Sequence, residues 1–238
     1  MSPHNLPMQQ VLLSLPIALP VLFWAGYHYH KDRNLPEPLG LLLLTFVLGM
    51  LASGIAVALY NGLGVVGLRF DAAHLADSNT LGLFAYAMLA IGPIEEIAKM
   101  LPFLLIVVRF RAFDEPLDGI IYASFIALGF AAVENWRYLD YLSTAEAYAR
   151  GFASPVVHIL FASIWGHWIA KAHLARRSIV SAALAGLGVA AGLHGLYDFL
   201  VIGNPRSSLP IAALLIAVIW LWRLKLMRTM SDDAAQER

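Results

Sequence analysis

The chain has 238 residues, of which 60% are hydrophobic and 13% are charged, whereas about a quarter of an average soluble domain is charged. This composition excludes an ordinary soluble domain, and the formal net charge of zero leaves no basic excess to neutralise the phosphates of a nucleic-acid partner. The sequence contains no cysteine, which excludes disulfides, thiolate zinc sites, iron–sulfur clusters and a cysteine nucleophile.

Seven apolar stretches follow one another along the chain, each long enough to cross about 30 Å of hydrocarbon as a helix. They predict an all-α, multi-pass transmembrane bundle in which residues 1–238 form a single membrane-embedded domain. The predicted spans are Val11–Tyr29, Leu39–Tyr60, Leu81–Val108, Gly119–Leu139, Pro155–Ala175, Ile179–Ile202 and Leu209–Leu224. The seventh span is short and ends in a basic run, so an interfacial helix is the alternative there.

The distribution of Lys and Arg predicts the orientation of the bundle, because cytoplasmic loops carry an excess of positive charge. One set of loops and tails holds eleven of these residues, namely Lys31, Arg33, Arg109, Arg111, Lys171, Arg176, Arg177, Arg223, Lys225, Arg228 and Arg238. The opposite set holds four, namely Arg69, Arg137, Arg150 and Arg206. This difference predicts an N-terminus outside and a C-terminus in the cytoplasm, and it leaves Lys99 inside the membrane.

Small residues in the sixth span have the spacing that lets helices approach closely. Gly188 and Gly192 form a GxxxG step, and Ala182, Gly186, Ala190 and His194 form a ladder with four-residue spacing on the same helix. Both patterns predict helix–helix packing.

The third span carries charges, Glu95, Glu96 and Lys99, although a charged side chain at mid-bilayer costs at least about 2.5–3.5 kcal/mol. Successive helix positions differ by about 100°, so the two glutamates are not expected to face one point. Lys99 can reach either carboxylate, which leaves the other glutamate free for chemistry. Gly92 and Pro93 are expected to make room for a cavity beside them. The alternative is a buried ion pair that only locks helix packing.

The next three spans each add polar groups. The fourth span carries Glu134 and Asn135, the fifth carries His158, and the sixth carries His194 and Asp198. Because His194 and Asp198 are four residues apart, they share a helix face. The aspartate is expected to accept the imidazole N–H or to join it as a metal ligand.

These polar residues are predicted to lie at similar depths in the membrane. At 1.5 Å per residue, Glu96 and His158 lie roughly 20 Å above the predicted cytoplasmic edge, and Glu134 and His194 lie roughly 24 Å above it. Asp198 lies about one helical turn higher. Groups on four helices at nearly one depth predict a single polar pocket inside the bundle.

Carboxylates and imidazoles at one depth favour hydrolysis by an activated water molecule. The motifs GxSxG, HExxH and GxGxxG are absent from the sequence. Neutral His158 and His194 with Asp198 or Glu134 would be a plausible ligand set for zinc. A metal-free alternative stabilises the oxyanion by hydrogen bonds from Glu, His and Asn135.

Four short motifs resemble those of the PrsW family of intramembrane proteases. They are Glu95–Lys99 (EEIAK), Gly129–Asn135 (GFAAVEN), His158 followed by Gly166, and His194–Asp198 (HGLYD). The Pro36–Pro38 turn and the segment Asp118–Tyr122 are also similar to family features. The resemblance runs in order from about Asp32 to Asp198, which is most of the chain.

The resemblance implies a metallo- or glutamate-type endopeptidase that cleaves membrane-anchored protein substrates within the lipid bilayer, expected in a prokaryotic cytoplasmic membrane. Depth and resemblance together predict a catalytic core of about residues 80–202. Its predicted catalytic residues are Glu95, Glu96, Glu134, His158 and His194, with Lys99, Asn135 and Asp198 in support. The candidate ligands for Zn²⁺ are His158, His194 and Asp198. The alternative functions are a proton- or ion-coupled transporter and a non-catalytic membrane scaffold.

Overall fold

Leu-, Ala- and Val-rich segments become helices here because a helix pairs its own backbone N–H and C=O groups, which lipid cannot do. A computed structural model describes residues 6–31 and 36–236, and these residues contain no β-strand. The helices are α1 (Leu6–Lys31), α2 (Leu39–Val65), α3 (Ala72–Ser78), α4 (Thr80–Tyr86), α5 (Gly92–Leu105), α6 (Pro116–Tyr138), α7 (Thr144–Leu174), α8 (Ile179–Gly203) and α9 (Pro205–Gln236). The predicted all-α fold class is confirmed.

Five of the described helical segments are long and apolar enough to cross a membrane. They are Leu39–Val65, Pro116–Tyr141, Thr144–Leu174, Ile179–Gly203 and Ser207–Met230, and they correspond to the second and the last four predicted spans to within one residue. The first predicted span lies in α1, and the third runs from α4 through α5 to the 3₁₀ turn Val107–Arg109. The count of seven crossings and the orientation stay predictions. Asp32, Arg33 and Arg238 lie outside the described residues.

Helices α6 and α7 form the centre of the bundle. They pack against each other, with α2 beside α6 and α8 beside α7, while α5 packs against both α2 and α8. The contact between α6 and α7 is close because Gly119 and Gly166 face each other, and a side chain on either would collide with the carbonyl of the other. This contact accounts structurally for Gly166 in the third motif.

The helical run that carries the paired glutamates is interrupted by one π-helical turn, Ala87–Ile91, between α4 and α5. Gly92 follows this turn and lies against the backbone of Ala191 and Gly195 in α8. The space that we expected Gly92 to leave as a cavity is therefore filled by α8. Single π turns are often found at functional sites.

The GxxxG prediction for the sixth span is wrong for the described residues. A side chain at Gly188 or Gly192 would meet nothing within 4 Å. Gly186, which belongs to the four-residue ladder, does pack, and it faces Trp165. Gly195, which faces the π turn, packs as well. The spacing of small residues therefore predicted the packed face through the ladder but not through the GxxxG step.

Arg223 was counted with the cytoplasmic loops, and the structure corrects this placement. It lies in α9 with only 2% of its surface exposed. Its Nε donates to Ser163 Oγ at 2.8 Å and its Nη2 donates to Ser124 Oγ at 3.0 Å. The basic run that follows it continues as helix, so Arg223 projects into the bundle and joins α9 to α6 and α7.

Candidate active site

Four helices bring their polar residues into contact inside the bundle. His194 Nδ1 in α8 lies 2.7 Å from Glu96 Oε1 in α5, and His158 Nε2 in α7 lies 2.7 Å from Glu134 Oε2 in α6. The two imidazole rings have centroids 5.1 Å apart. The predicted convergence of these residues in one polar cluster is confirmed.

Glu96 occupies the closed side of this cluster, and it is fully buried. Its Oε1 accepts from Lys99 Nζ at 2.6 Å and from His194, while its Oε2 accepts from Trp165 Nε1 at 2.9 Å. Both carboxylate oxygens are therefore engaged. Of the two glutamates that Lys99 could reach on the helix, it pairs with Glu96.

Glu95 occupies the open side. Its Oε1 receives only a long hydrogen bond from Tyr60, with 3.4 Å between the oxygens, and its buried Oε2 has no hydrogen-bond partner. This Oε2 lies 3.6 Å from His194 Nε2 and 3.9 Å from His158 Nδ1. The two glutamates thus meet opposite ring nitrogens of His194, although adjacent helix positions were not expected to face one point.

The hydrogen-bond network assigns the proton on His158. Lys99 Nζ lies 3.0 Å from His158 Nδ1, and because an ammonium group only donates, Nδ1 accepts. The proton then belongs on Nε2, which donates to Glu134. The carboxylate holds the ring in this tautomer, as outer carboxylates do for histidines in metal and catalytic sites.

Exposure increases from the closed side of the cluster to its rim. The side chains of Glu96 and Lys99 are 0% exposed, whereas Glu134 is 19% and Arg150 is 32% exposed. Asp198 is also 19% exposed, and its Oδ2 lies 3.5 Å from His194 Nε2. The exposed side of the cluster therefore lies at the end of the bundle where α6 and α8 terminate.

Glu95, His158 and His194 form a group that could hold a metal ion, since each offers a ligand atom within 4.8 Å of the others. Carboxylate oxygens and imidazole nitrogens are usual zinc ligands, and the partnerless Oε2 of Glu95 has the environment expected of such a ligand. The donor set therefore fits a metal, which would replace the hydrogen bond from Lys99 to His158 Nδ1. The sequence prediction had named Asp198 in place of Glu95.

Sequence reasoning missed three residues that touch the cluster: Tyr60, Arg150 and Trp165. Trp165 follows His158 by seven residues, or about two helical turns, and that spacing placed it on the same face. The long side chain of Arg150 reaches back from the first turns of α7 to Glu134. Asn135 was predicted to support the site, and it is buried, but neither atom of its amide has a hydrogen-bond partner.

The comparison with known proteins gives the same family as the motifs. Residues 37–223 match the model of the PrsW family intramembrane metalloproteases. The chain belongs to this family.

Three relatives, each named Protease PrsW, extend the match over most of their length. The protein from Oceanobacillus iheyensis is 30% identical over 90% of this chain and 94% of its own. The protein from Geobacillus kaustophilus is 30% identical over 88% of each chain, and that from Bacillus subtilis is 31% identical over 80% of this chain and 82% of its own. No solved structure matches this one. Family membership and the apolar helices identify the chain as an integral membrane protein and a PrsW-type intramembrane endopeptidase.

Proposed function

We propose that this PrsW-family chain hydrolyses a peptide bond of a membrane-anchored protein, within the lipid bilayer of a bacterial cytoplasmic membrane, by activating a water molecule at Glu95. One observation carries the proposal: Glu95 Oε2 is buried, has no hydrogen-bond partner, and faces ring nitrogens of His158 and His194. Glu96 does not suit the role of base, because Lys99, His194 and Trp165 already occupy its oxygens.

In the proposed reaction, Glu95 accepts a proton from water as the water oxygen bonds to the carbonyl carbon of the substrate. The C–N bond then breaks, and Glu95 returns the proton to the leaving nitrogen. Glu96 and Glu134 each accept a hydrogen bond from one imidazole, which turns the other nitrogen of each ring toward Glu95. On His158 this nitrogen also accepts from Lys99. The chain thus presents a carboxylate and two oriented imidazoles to the scissile bond.

Glu95 Oε2, His158 and His194 would hold a metal ion in this site. The ion would take the place of the hydrogen bond from Lys99 to His158 Nδ1, and Glu95 Oε1 would be left to accept the proton. Zinc bound there would supply Lewis-acid polarisation of the scissile carbonyl and of the water. The metallo-type assignment is part of the proposal, and it has its own experiment.

The role of Glu95 is tested by Glu95→Gln in purified protein reconstituted with a single-span protein substrate. A general base typically contributes 10²–10⁴-fold, so we expect the cleavage rate to fall by about that factor. Thermal stability should stay near the wild-type value, since Glu95 makes only one long hydrogen bond. The matched control is Asp140→Asn, an exposed acid beyond the end of α6. Unchanged cleavage by Glu95→Gln would contradict the mechanism.

The metal is tested by chelation of the same preparation. We expect a chelator to stop cleavage, added zinc to restore it, and metal analysis to find zinc in the untreated wild-type protein but less in His194→Ala. Full activity in metal-depleted protein would contradict the metallo-type assignment and favour the glutamate-type reaction.

A further inference from the structure

Arg150 lies at the exposed rim of the site and contacts α6 at two places. Its Nη2 donates to Glu134 Oε1 at 2.6 Å, and its guanidinium lies over the ring of Tyr138, 4.0 Å from the centroid. Glu134 and Tyr138 are four residues apart and share a face of α6. The side chain is therefore held by a carboxylate and an aromatic ring, although a third of it is exposed.

The ion pair reaches the cluster through Glu134. One oxygen of this carboxylate is bound to Arg150, and the other accepts from His158 Nε2 at 2.7 Å. A carboxylate with one oxygen fixed by a guanidinium has little freedom to rotate away from the imidazole. Arg150, Glu134 and His158 thus form a relay that holds the imidazole ring in place from its Nε2 side, while Lys99 contacts Nδ1.

The exposure of the pair indicates that its main effect is on orientation. Partly exposed ion pairs contribute little to folding stability, because water and salt screen them. The next partner in the relay, His158, is only 4% exposed and faces the proposed base. The ion pair between Arg150 and Glu134 at the rim therefore affects the orientation of His158 more than it affects folding stability.

We propose that Arg150 is a positioning residue for the reaction, acting through Glu134 to hold the His158 ring with its Nε2–H on this carboxylate and its Nδ1 toward Lys99 and Glu95. It does not touch the scissile bond. The kinetic test of this inference rests on the proposed function. A second test, by NMR, does not require that the protein cleaves a substrate.

The kinetic test compares Arg150→Gln with wild-type protein in the reconstituted cleavage assay. Loss of an outer partner of a site histidine typically costs 10–100-fold in activity, so we expect kcat to fall by about that factor while KM changes less than about three-fold. Arg150→Lys should recover part of kcat, because it keeps the charge but loses the planar pairing with the carboxylate. The matched control is Arg137→Gln, an exposed arginine in the last turn of α6.

A double-mutant cycle tests whether Arg150 acts through Glu134. In a Glu134→Gln background, Arg150→Gln should have almost no further effect on kcat, because the relay is already broken. Guanidinium ion added to Arg150→Ala should restore part of the lost rate, with sodium chloride of equal ionic strength as its control. A rise in KM at constant kcat, or an undiminished effect in the Glu134→Gln background, would overturn the proposal.

The second test reads the imidazole directly in the full chain. Protein labelled with ¹⁵N-histidine and treated with a chelator is studied by NMR, and the signals of His158 are assigned by their loss in His158→Gln. The tautomer should be Nε2–H in both proteins, because Lys99 still donates to Nδ1. We expect the Nε2 proton to exchange slowly with water in wild type and faster in Arg150→Gln, where Glu134 has lost its second partner. An unchanged exchange rate would overturn the role of Arg150, even if the wild-type protein cleaved nothing and the proposed function had itself failed.

Discussion

Glu95 and Glu96 are neighbours in the sequence, yet they lie in different halves of the site. The inner half consists of Glu96, Lys99 and Trp165, in which each carboxylate oxygen has a donor and the ion pair is fully buried. The outer half consists of Glu95, Glu134, Asp198 and Arg150, where side chains are partly exposed and Glu95 Oε2 is unpartnered. The two histidines lie between the halves.

The difference teaches how to separate structural from reactive carboxylates in a buried cluster. A carboxylate whose two oxygens both accept hydrogen bonds from buried donors holds those neighbours in place and is less open to a water molecule. A carboxylate with an unpartnered buried oxygen is costly to keep, and that cost points to a ligand or a reaction. We therefore expect changes in the inner half to act first on stability, and changes at Glu95 and the residues that orient its neighbours to act first on rate.

The largest effect on stability is expected from Lys99→Met. This change leaves the fully buried carboxylate of Glu96 without its cation, and breaking a buried pair from one side typically costs about 3–5 kcal/mol. Thermal unfolding in detergent, followed by circular dichroism, measures the loss. The double variant Glu96→Gln with Lys99→Met removes both charges and should recover part of the stability. If Lys99→Met alone unfolded like the wild type, the inner half would not have the structural role described here.

A smaller effect is expected from Trp165→Phe. The indole N–H to Glu96 Oε2 is lost, and the ring that packs on Phe103 becomes smaller. A hydrogen bond to a charged group contributes about 1.5–3 kcal/mol, so unfolding should shift by about that amount. Trp168→Phe on the same helix is the control for the change in size. A loss of cleavage without a loss of stability would place Trp165 in the outer half instead.

The smallest effect is expected from Tyr60→Phe, which removes the long hydrogen bond to Glu95 Oε1. Such bonds contribute about 0.5–1.5 kcal/mol, so kcat/KM should fall by about two- to ten-fold at unchanged stability. Tyr86→Phe, in α4, is the control. The same substitution made in the Glu95→Gln background should have no further effect, and an equal effect there would mean that Tyr60 acts elsewhere.

Much of the fold and the membership of the site could be predicted from the sequence. Long apolar runs mark helices because lipid leaves the backbone no other way to pair its polar groups. Counting residues from the predicted cytoplasmic edge placed Glu96, Glu134, His158 and His194 at nearly one depth. The helical segments between that edge and these residues are mostly regular, so the count correctly predicted that the four side chains lie close together. The family resemblance came from the same residues.

The missing parts depend on side-chain direction and on irregular backbone. Nothing in the sequence marks the π turn Ala87–Ile91 or shows that Arg150 folds back toward Glu134. Charge counting placed Arg223 in a loop because it assumes that positive residues reach water, whereas this one binds Ser124 and Ser163 inside the bundle. The contacts of a long, flexible side chain depend on how the helices pack, so they cannot be predicted from the sequence alone.

The π turn between α4 and α5 affects how many residues the chain needs to bring the paired acids to α8. A π turn accommodates one more residue than an α-helical turn, so the segment Ala87–Ile91 acts as a one-residue insertion whose wider turn keeps the residues after it in register. If the same residues formed a regular α-helix, the paired acids would point about 100° away from the α8 imidazole. A homologue one residue shorter here would continue as regular α-helix with its acids facing α8, so alignments across the family should tolerate a gap of one residue between Ala87 and the EEIAK segment.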